Sequence, residues 1–260
     1  MTDPAPYEAV HARPDGESTV ARHARTAARQ GYGGLVVRTR GATVPDGVEE
    51  RYGVDLVSAI EVTADDPEAA SGAVGEARPD HTLLLVRGGT ARMNRFAVEQ
   101  ARVDVLAAPT GAGDGADRFN HVLARAAAEN GVRVEFDLAP VLRAEGGTRV
   151  RAVSDLRLLA DLVEQYDAPH VVSARATGHP GLRAPRELAA VGEAVGLDAG
   201  FVRDGLAEWG RLARRNRERA SDDFVMPGVW KGRADERVGP ADDPGDPADG
   251  GDDDRDGGAP

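Results

Sequence analysis

Residues 94–142, NRFAVEQARVDVLAAPTGAGDGADRFNHVLARAAAENGVRVEFDLAPVL, constrain the fold more than any other part of the chain. Residues 103–108 form a short apolar run, as in a parallel strand covered on both faces. Phe119, Val122, Leu123, Ala126 and Ala127 recur at helical spacing and make one apolar face. Asn130-Gly131 supplies a helix stop, because glycine tolerates the left-handed conformation there. Val132, Val134, Phe136 and Leu138 then alternate with Arg133, Glu135 and Asp137, so two side-chain sets face opposite ways on a strand. Helix, buried strand, glycine-rich loop, helix and strand make one repeat of a parallel α/β fold and part of the next.

The pattern continues in both directions. Residues 7–11 read as a first strand, and Ser18 as the N-cap of a helix running to Gln30. Residues 35–37 and 55–63 read as the second and third strands. Asp65 or Asp66 opens a helix with Pro67 in its first turn, where a missing N–H does no harm. Residues 81–86 are the fourth strand, 103–108 the fifth, the segment around Val134 the sixth and 170–173 the seventh. Ser154 or Asp155 opens a helix with Leu159, Leu162, Val163 and Tyr166 as its core face, and Pro185 starts another. The last helix spans 198–219 and buries Phe201, Leu206, Trp209 and Leu212. Seven short strands alternating with helices suggest a closed or nearly closed barrel, although an open doubly wound sheet gives the same alternation.

A chain of 260 residues holds one barrel or two smaller domains. The absence of cysteine excludes disulfides, thiolate metal sites and thiol catalysis. No apolar run approaches the roughly 18 residues of a membrane span, and the N-terminus lacks a signal-peptide pattern, so a soluble cytoplasmic protein with no membrane partner is expected. The net charge of −12 argues at first sight against a nucleic-acid partner. Much of the acid, however, lies near the C-terminus, in DDPGDPADGGDDDRDGG, and Lys231 is the sole lysine. Acid excess with arginine in place of lysine fits a halophilic archaeon, and a GC-rich genome also favours arginine. In molar salt the screening length falls to about 3 Å, so an acidic exterior does not repel RNA over any distance. Residues 1–219 are therefore expected to form the barrel domain. Residues 220–260, rich in Pro, Gly and Asp, are expected to be a disordered tail. FVMPGVW at 224–230 is too apolar for such a tail.

Several ordered motifs carry a family resemblance. NRFAVEQARVD at 94–104, HVLAR at 121–125, PVLR at 140–143, Ser173-Ala174 and APREL at 184–188 resemble archaeal ribonuclease P protein component 3, over roughly residues 5 to 200. The resemblance implies a TIM-like, seven-stranded β/α barrel related to the polymerase-and-histidinol-phosphatase barrels. It implies a subunit of the ribonucleoprotein that removes the 5′ leader from precursor tRNA. In that enzyme the RNA subunit carries the chemistry with Mg²⁺, and this chain binds no cofactor of its own. The implied partners are ribonuclease P RNA, protein component 2, the other protein subunits and the precursor tRNA substrate.

Two rival classes remain: a metal-dependent phosphoesterase of the related barrel class, and an RNA- or protein-binding scaffold. A metal site needs converging His, Asp and Glu side chains, usually opened by His-x-His on the first strand. Here that position reads Ala9-Val10-His11, and no two histidines are two or four residues apart. Glu61, Asp137 and His170 remain the possible residual set. The loop GAGDGA at 111–116 lies between strand and helix but lacks dinucleotide and Walker spacing, and Asp114 repels phosphate. Ser173 lacks a nucleophile-elbow context.

Arginine remains as the functional signal. Arg118, His121 and Arg125 form a stripe on one helix, and a charged stripe is ordinarily a solvated face. Arg95, His121, Arg125, Arg143 and Arg186 occupy positions that the resemblance marks as basic or polar. Arg87 and Arg175 lie just past the expected strand ends, the face where barrels place sites. These seven are the candidate RNA-binding residues. Arginine suits salt-resistant contacts, since its planar fork bonds phosphate bidentately where lysine acts as a point charge.

Overall fold

Seven strands pair in parallel, in the order of the chain. The computed structural model describes residues 4–39, 41–42, 45–111, 119–221, 224–226 and 229–230. Helix and strand alternate as β1 (Tyr7–Val10), α1 (Val20–Gln30), β2 (Gly34–Val37), α2 (Val48–Tyr52), β3 (Asp55–Val62), α3 (Pro67–Ala77), β4 (Leu83–Arg87), α4 (Ala91–Glu99) and β5 (Val105–Ala107). There follow α5 (His121–Asn130), β6 (Arg133–Asp137), α6 (Ala139–Arg143), α7 (Gly146–Gln165), β7 (His170–Ser173), α8 (Pro185–Val195) and α9 (Ala199–Ala220). The ring closes through one parallel bridge, Val10 to Ala176, with the His11 N–H donating to the Ala176 carbonyl at 3.0 Å. The chain thus forms a nearly closed TIM-like barrel, and the open-sheet alternative falls away.

Beyond Ser221 the described residues are a short antiparallel pair, β8 (Phe224–Met226) with β9 (Val229–Trp230). These strands lie within the segment expected to lack structure. FVM and VW are rich in strand-forming residues, and their backbone groups pair with one another. The remainder of the expected tail, residues 231–260, lies outside the described residues.

Local signals explain most boundaries. Asp66 caps α3, accepting from the N–H groups of Glu68 and Ala69, with Pro67 next to it. Gly131 ends α5 in the left-handed region, φ 64°. Glu187 reaches back to the Ala184 N–H at 2.9 Å, opening α8 behind Pro185.

Four expectations need correction. Ser18 does not cap α1; Thr19 holds that position, and the Ser18 hydroxyl instead meets His179 Nδ1 at 2.9 Å and its N–H at 3.1 Å. Helix α7 begins at Gly146 rather than at Ser154 or Asp155. Gly146 and Gly147 have low helix propensity, but helix propagates outward once the half bearing Leu156, Leu159 and Val163 is packed. Val122 is 48 % exposed, because α5 turns Leu123, Ala124 and Ala127 inward instead. Strand β4 starts at Leu83, not His81, whose Nδ1 is taken up by the Ala77 carbonyl.

Two apolar layers hold the barrel. Outside, β3 to β7 pack against α3 to α8 through residues such as Leu84, Leu106, Val134, Phe136 and Leu188. Inside, Ala9, Val36, Val57, Leu83, Leu85, Val105 and Val171 meet Trp209, Leu212 and Ala213 of α9. Helix α9 therefore plugs the end where the strands begin. The Trp209 indole N–H donates to the Val172 carbonyl at 2.9 Å. Asn216 donates to the Thr82 carbonyl and to Asp104, and Arg217 pairs with Asp55 at 2.9 Å. Gly205 lies so close to β7 that a Cβ there would stand 2.5 Å from Val172 Cγ2.

The barrel mouth as candidate functional site

Strand periodicity builds the site. Alternate residues of a strand share a face, so the positions two beyond the apolar lining also point inward, at the opposite end from α9. After Ala9 comes His11, after Val36 Arg38, after Ala59 Glu61 and after Leu85 Arg87; Val171 is followed by Ser173 and Arg175. Strand β6 contributes Glu135 and Asp137. The mouth is therefore lined by three arginines and three carboxylates.

Arg38 is the centre. Its side chain is fully buried between Glu135, also fully buried, and Glu61, 6 % exposed. Arg38 Nη1 bonds Glu135 Oε1, and Nη2 bonds Glu135 Oε2 at 3.1 Å and Glu61 Oε2 at 2.6 Å. Nε adds a second contact to Glu61 Oε2 at 2.9 Å. Ser173 donates to Glu135 Oε1 at 2.7 Å, so its hydroxyl is committed to the network. Arg87 Nε pairs with Glu61 Oε1 at 2.8 Å, and Arg175 bridges Glu61 at 3.4 Å and Asp137 at 3.0 Å.

This arrangement sets the charges. Burial alone would push the Glu61 carboxyl up, but the guanidiniums of Arg38, Arg175 and Arg87 outweigh it and hold it at about 2. Burial likewise opposes ionisation of Glu135, and Arg38 overrides it. Burial and the Glu135 charge raise the Asp137 carboxyl despite Arg175. Burial and the adjacent Arg38 hold the His11 imidazole down at about 4. His11 is thus neutral at pH 7, and its 3.7 Å approach to Glu61 is not an ion pair there.

Such a set does not resemble a metal centre. Among the described residues no three His, Asp or Glu side chains converge around a point, and guanidiniums lie against the carboxylates that a cation would need. Glu61 and Asp137 do meet, through Arg175. His170 does not join them; it begins β7 at the α9 end, stacks on Phe201 at 3.7 Å and meets the Phe201 carbonyl at 3.0 Å.

The seven candidate arginine and histidine positions divide. Arg87 and Arg175 belong to the mouth network. The other five are exposed on helices. Arg95 is exposed on α4 and pairs with Glu99 at 3.1 Å. His121 and Arg125 of α5 gather around Tyr166, with Arg125 5.8 Å from the ring centre and His121 6.4 Å away. Arg143 ends α6 and Arg186 lies in the first turn of α8, both exposed. Arg118 and residues 112–116 of the glycine loop lie outside the described residues.

Sequence reasoning missed Arg38 and Glu135, the most buried charges of the site. The alternation on β6 pointed to Glu135's face, but only closure turns that face away from water. Two motif residues prove structural. Asn94, fully buried, accepts from the Gly89 N–H and donates to the Pro109 carbonyl, joining the ends of β4 and β5. Asp104 accepts from the Leu84 N–H, Arg78 and Asn216, fixing α9 to the barrel.

Comparison with known proteins agrees with this architecture. The family model for RNase P subunit p30 matches residues 7–221. A ribonuclease P protein component 3 from Halorubrum lacusprofundi is 56 % identical over 241 residues, covering 88 % of this chain and 99 % of the relative. Its counterpart from Haloarcula marismortui is 58 % identical over 227 residues, covering 86 % and 95 %. A chain from the cryo-electron microscopy structure of archaeal ribonuclease P with mature tRNA superposes with a TM-score of 0.75 at 19 % identity, covering 88 % of this chain and 99 % of that one, which bears on the fold. With a match across almost the whole barrel and relatives above half identity, the chain belongs to the ribonuclease P protein component 3 family.

Proposed function

We propose that this chain is a noncatalytic protein subunit of ribonuclease P, the ribonucleoprotein that cleaves the 5′ leader from precursor tRNA. The match to the family over residues 7–221 carries this reading. The barrel mouth supports the noncatalytic part. Glu61 and Glu135 are neutralised from within by Arg38, so the carboxylates that a phosphoesterase would offer to metal are already paired. In this reading the RNA subunit performs hydrolysis with Mg²⁺, and the chain works in the cytoplasm with protein component 2 and the other subunits. Among the described residues no helix is long and apolar enough to cross a membrane.

The protein's task is then to favour the active RNA conformation, by binding it more tightly than the alternatives. Arg95, His121, Arg125, Arg143 and Arg186 are the exposed side chains proposed for RNA contact, with Arg87 and Arg175 nearer the mouth. High salt weakens the counterion-release contribution to RNA affinity, which leaves the geometry of guanidinium–phosphate contacts to carry recognition. Reconstitution tests the reading. Added to the RNA and the other protein subunits, the chain should raise precursor-tRNA cleavage, and alone with Mg²⁺, Mn²⁺ or Zn²⁺ it should cleave nothing. Metal-dependent turnover by the isolated chain, abolished by Asp137→Ala, would favour the phosphoesterase instead.

A further inference from the structure

Beside the Arg38 network lies a cavity of about 600 Å³, at the carboxyl ends of β4, β5, β6 and β7. Its volume falls in the range of small-molecule sites, roughly 300–1,000 Å³. Two residues of its wall, Ala108 and Arg175, adopt left-handed backbone conformations, with φ of 48° and 46°. Non-glycine residues rarely do so, and such strain collects at ligand sites. Both hold the turns that follow strands of the same mouth.

The hydrogen-bond inventory indicates what the cavity accepts. Every oxygen of the three mouth carboxylates already receives a donor: both of Glu61 from arginines, both of Glu135 from Arg38, and those of Asp137 from the Ala139 N–H and Arg175. Asp155, on the helical wall, is also engaged. Donors remain in surplus. A guanidinium carries five N–H groups, and Arg175 Nε is buried with no hydrogen-bond partner among the described residues. Arg151, on the same wall, has one long contact, to Thr148 at 3.5 Å. Arg87, 39 % exposed, pairs through Nε. Three cationic forks, from β4, α7 and the turn after β7, with spare donors and no unpaired oxygen on those carboxylates, suit a ligand that only accepts.

We propose that this cavity is an oxyanion pocket for a phosphoryl group, held by Arg87, Arg151 and Arg175. A tetrahedral phosphoryl group presents enough oxygens to engage three forks, whereas a planar carboxylate presents two. The volume exceeds that of the bare anion, so the group is carried on a larger body. That body is either a small phosphomonoester or an RNA strand. The proposal does not depend on the subunit reading, because it is measured without the RNA subunit.

The test is calorimetric titration of the full-length chain at constant potassium chloride. The probes are inorganic phosphate, AMP, acetate, and one short oligoribonucleotide bearing either a 5′-phosphate or a 5′-hydroxyl. Saturable binding of phosphate or AMP over acetate is expected. Arg151→Gln, an exposed change that leaves Arg38 and its partners intact, should weaken binding about 10-fold or more, as loss of a charge-assisted hydrogen bond implies. Arg87→Gln should act likewise, while Arg25→Gln, exposed on α1 and outside the cavity, should not. Binding of the oligonucleotide that needs its 5′-phosphate upholds the pocket and identifies a monoester end. Equal binding of both forms, still sensitive to Arg151→Gln, upholds it with an internal phosphate. The proposal is overturned if no phosphate-bearing probe saturates, if acetate binds as tightly, or if both glutamine variants bind as wild type does.

Discussion

Replacing Arg38 by methionine tests whether the buried cation holds the mouth together. Methionine approximates the length and apolar stem of arginine while removing all five donors. Glu135 would remain fully buried and Glu61 nearly so, each facing the other's charge. Removing one partner from a buried ion pair costs about 3–5 kcal/mol. The Glu61 carboxyl gives an independent scale. It is held near 2 instead of its ordinary 4.5, a shift equivalent to about 3 kcal/mol. The sign follows from linkage. A carboxyl depressed in the folded state stabilises above its unfolded value, and that stability is lost as pH falls toward 2. Wild type should therefore weaken between about pH 5 and pH 2. The variant should behave in the opposite way from pH 7 to pH 5. Without Arg38 the crowded carboxylates are pushed upward, so taking up a proton relieves them and the deficit shrinks. Urea unfolding at fixed potassium chloride, repeated across this range, measures both effects. The triple variant Arg38→Met, Glu61→Gln, Glu135→Gln should recover much of the loss, because no uncompensated charge remains in the triad. A deficit below about 1 kcal/mol at pH 7, or one that grows on acidification to pH 5, would refute the reasoning.

Gly205→Ala should destabilise by about 1–3 kcal/mol, because its Cβ meets Val172 across α9 and β7 where neither element can retreat; thermal unfolding checks this, and an unchanged midpoint would show that α9 is not seated tightly. Replacing Arg95, His121 and Arg125 together by alanine should alter stability by no more than about 0.5 kcal/mol per site, as is usual for exposed positions, yet reduce precursor-tRNA cleavage by the reconstituted enzyme. Arg125→Lys separates a bidentate contact, which it impairs, from simple charge, which it keeps.

Much of this protein is legible in its sequence because the signals are local. The cap at Asp66 with Pro67, the left-handed stop at Gly131, and the apolar runs of β2, β4, β5 and β7 each depend on neighbouring residues only. The ordered motifs carried the family for a different reason: several of them, Asn94 and Asp104 above all, are pins that join elements of the barrel. Boundaries failed where tertiary packing overrode a local signal, as at Gly146, where α7 starts a full two turns before the serine and aspartate that resemble caps. The polar faces of the strands were the deeper omission. Arg133, Glu135 and Asp137 alternate as they would on a strand with one side in water. Only the closure of β1 against the segment after β7 turns that side into an enclosed lumen. Enclosure leaves the charges without water, so Arg38 and Glu135, distant in sequence and separately unremarkable, must satisfy one another there. The sequence by itself determined the repeating elements and the family; the tertiary structure alone decided which charges became the interior of the barrel.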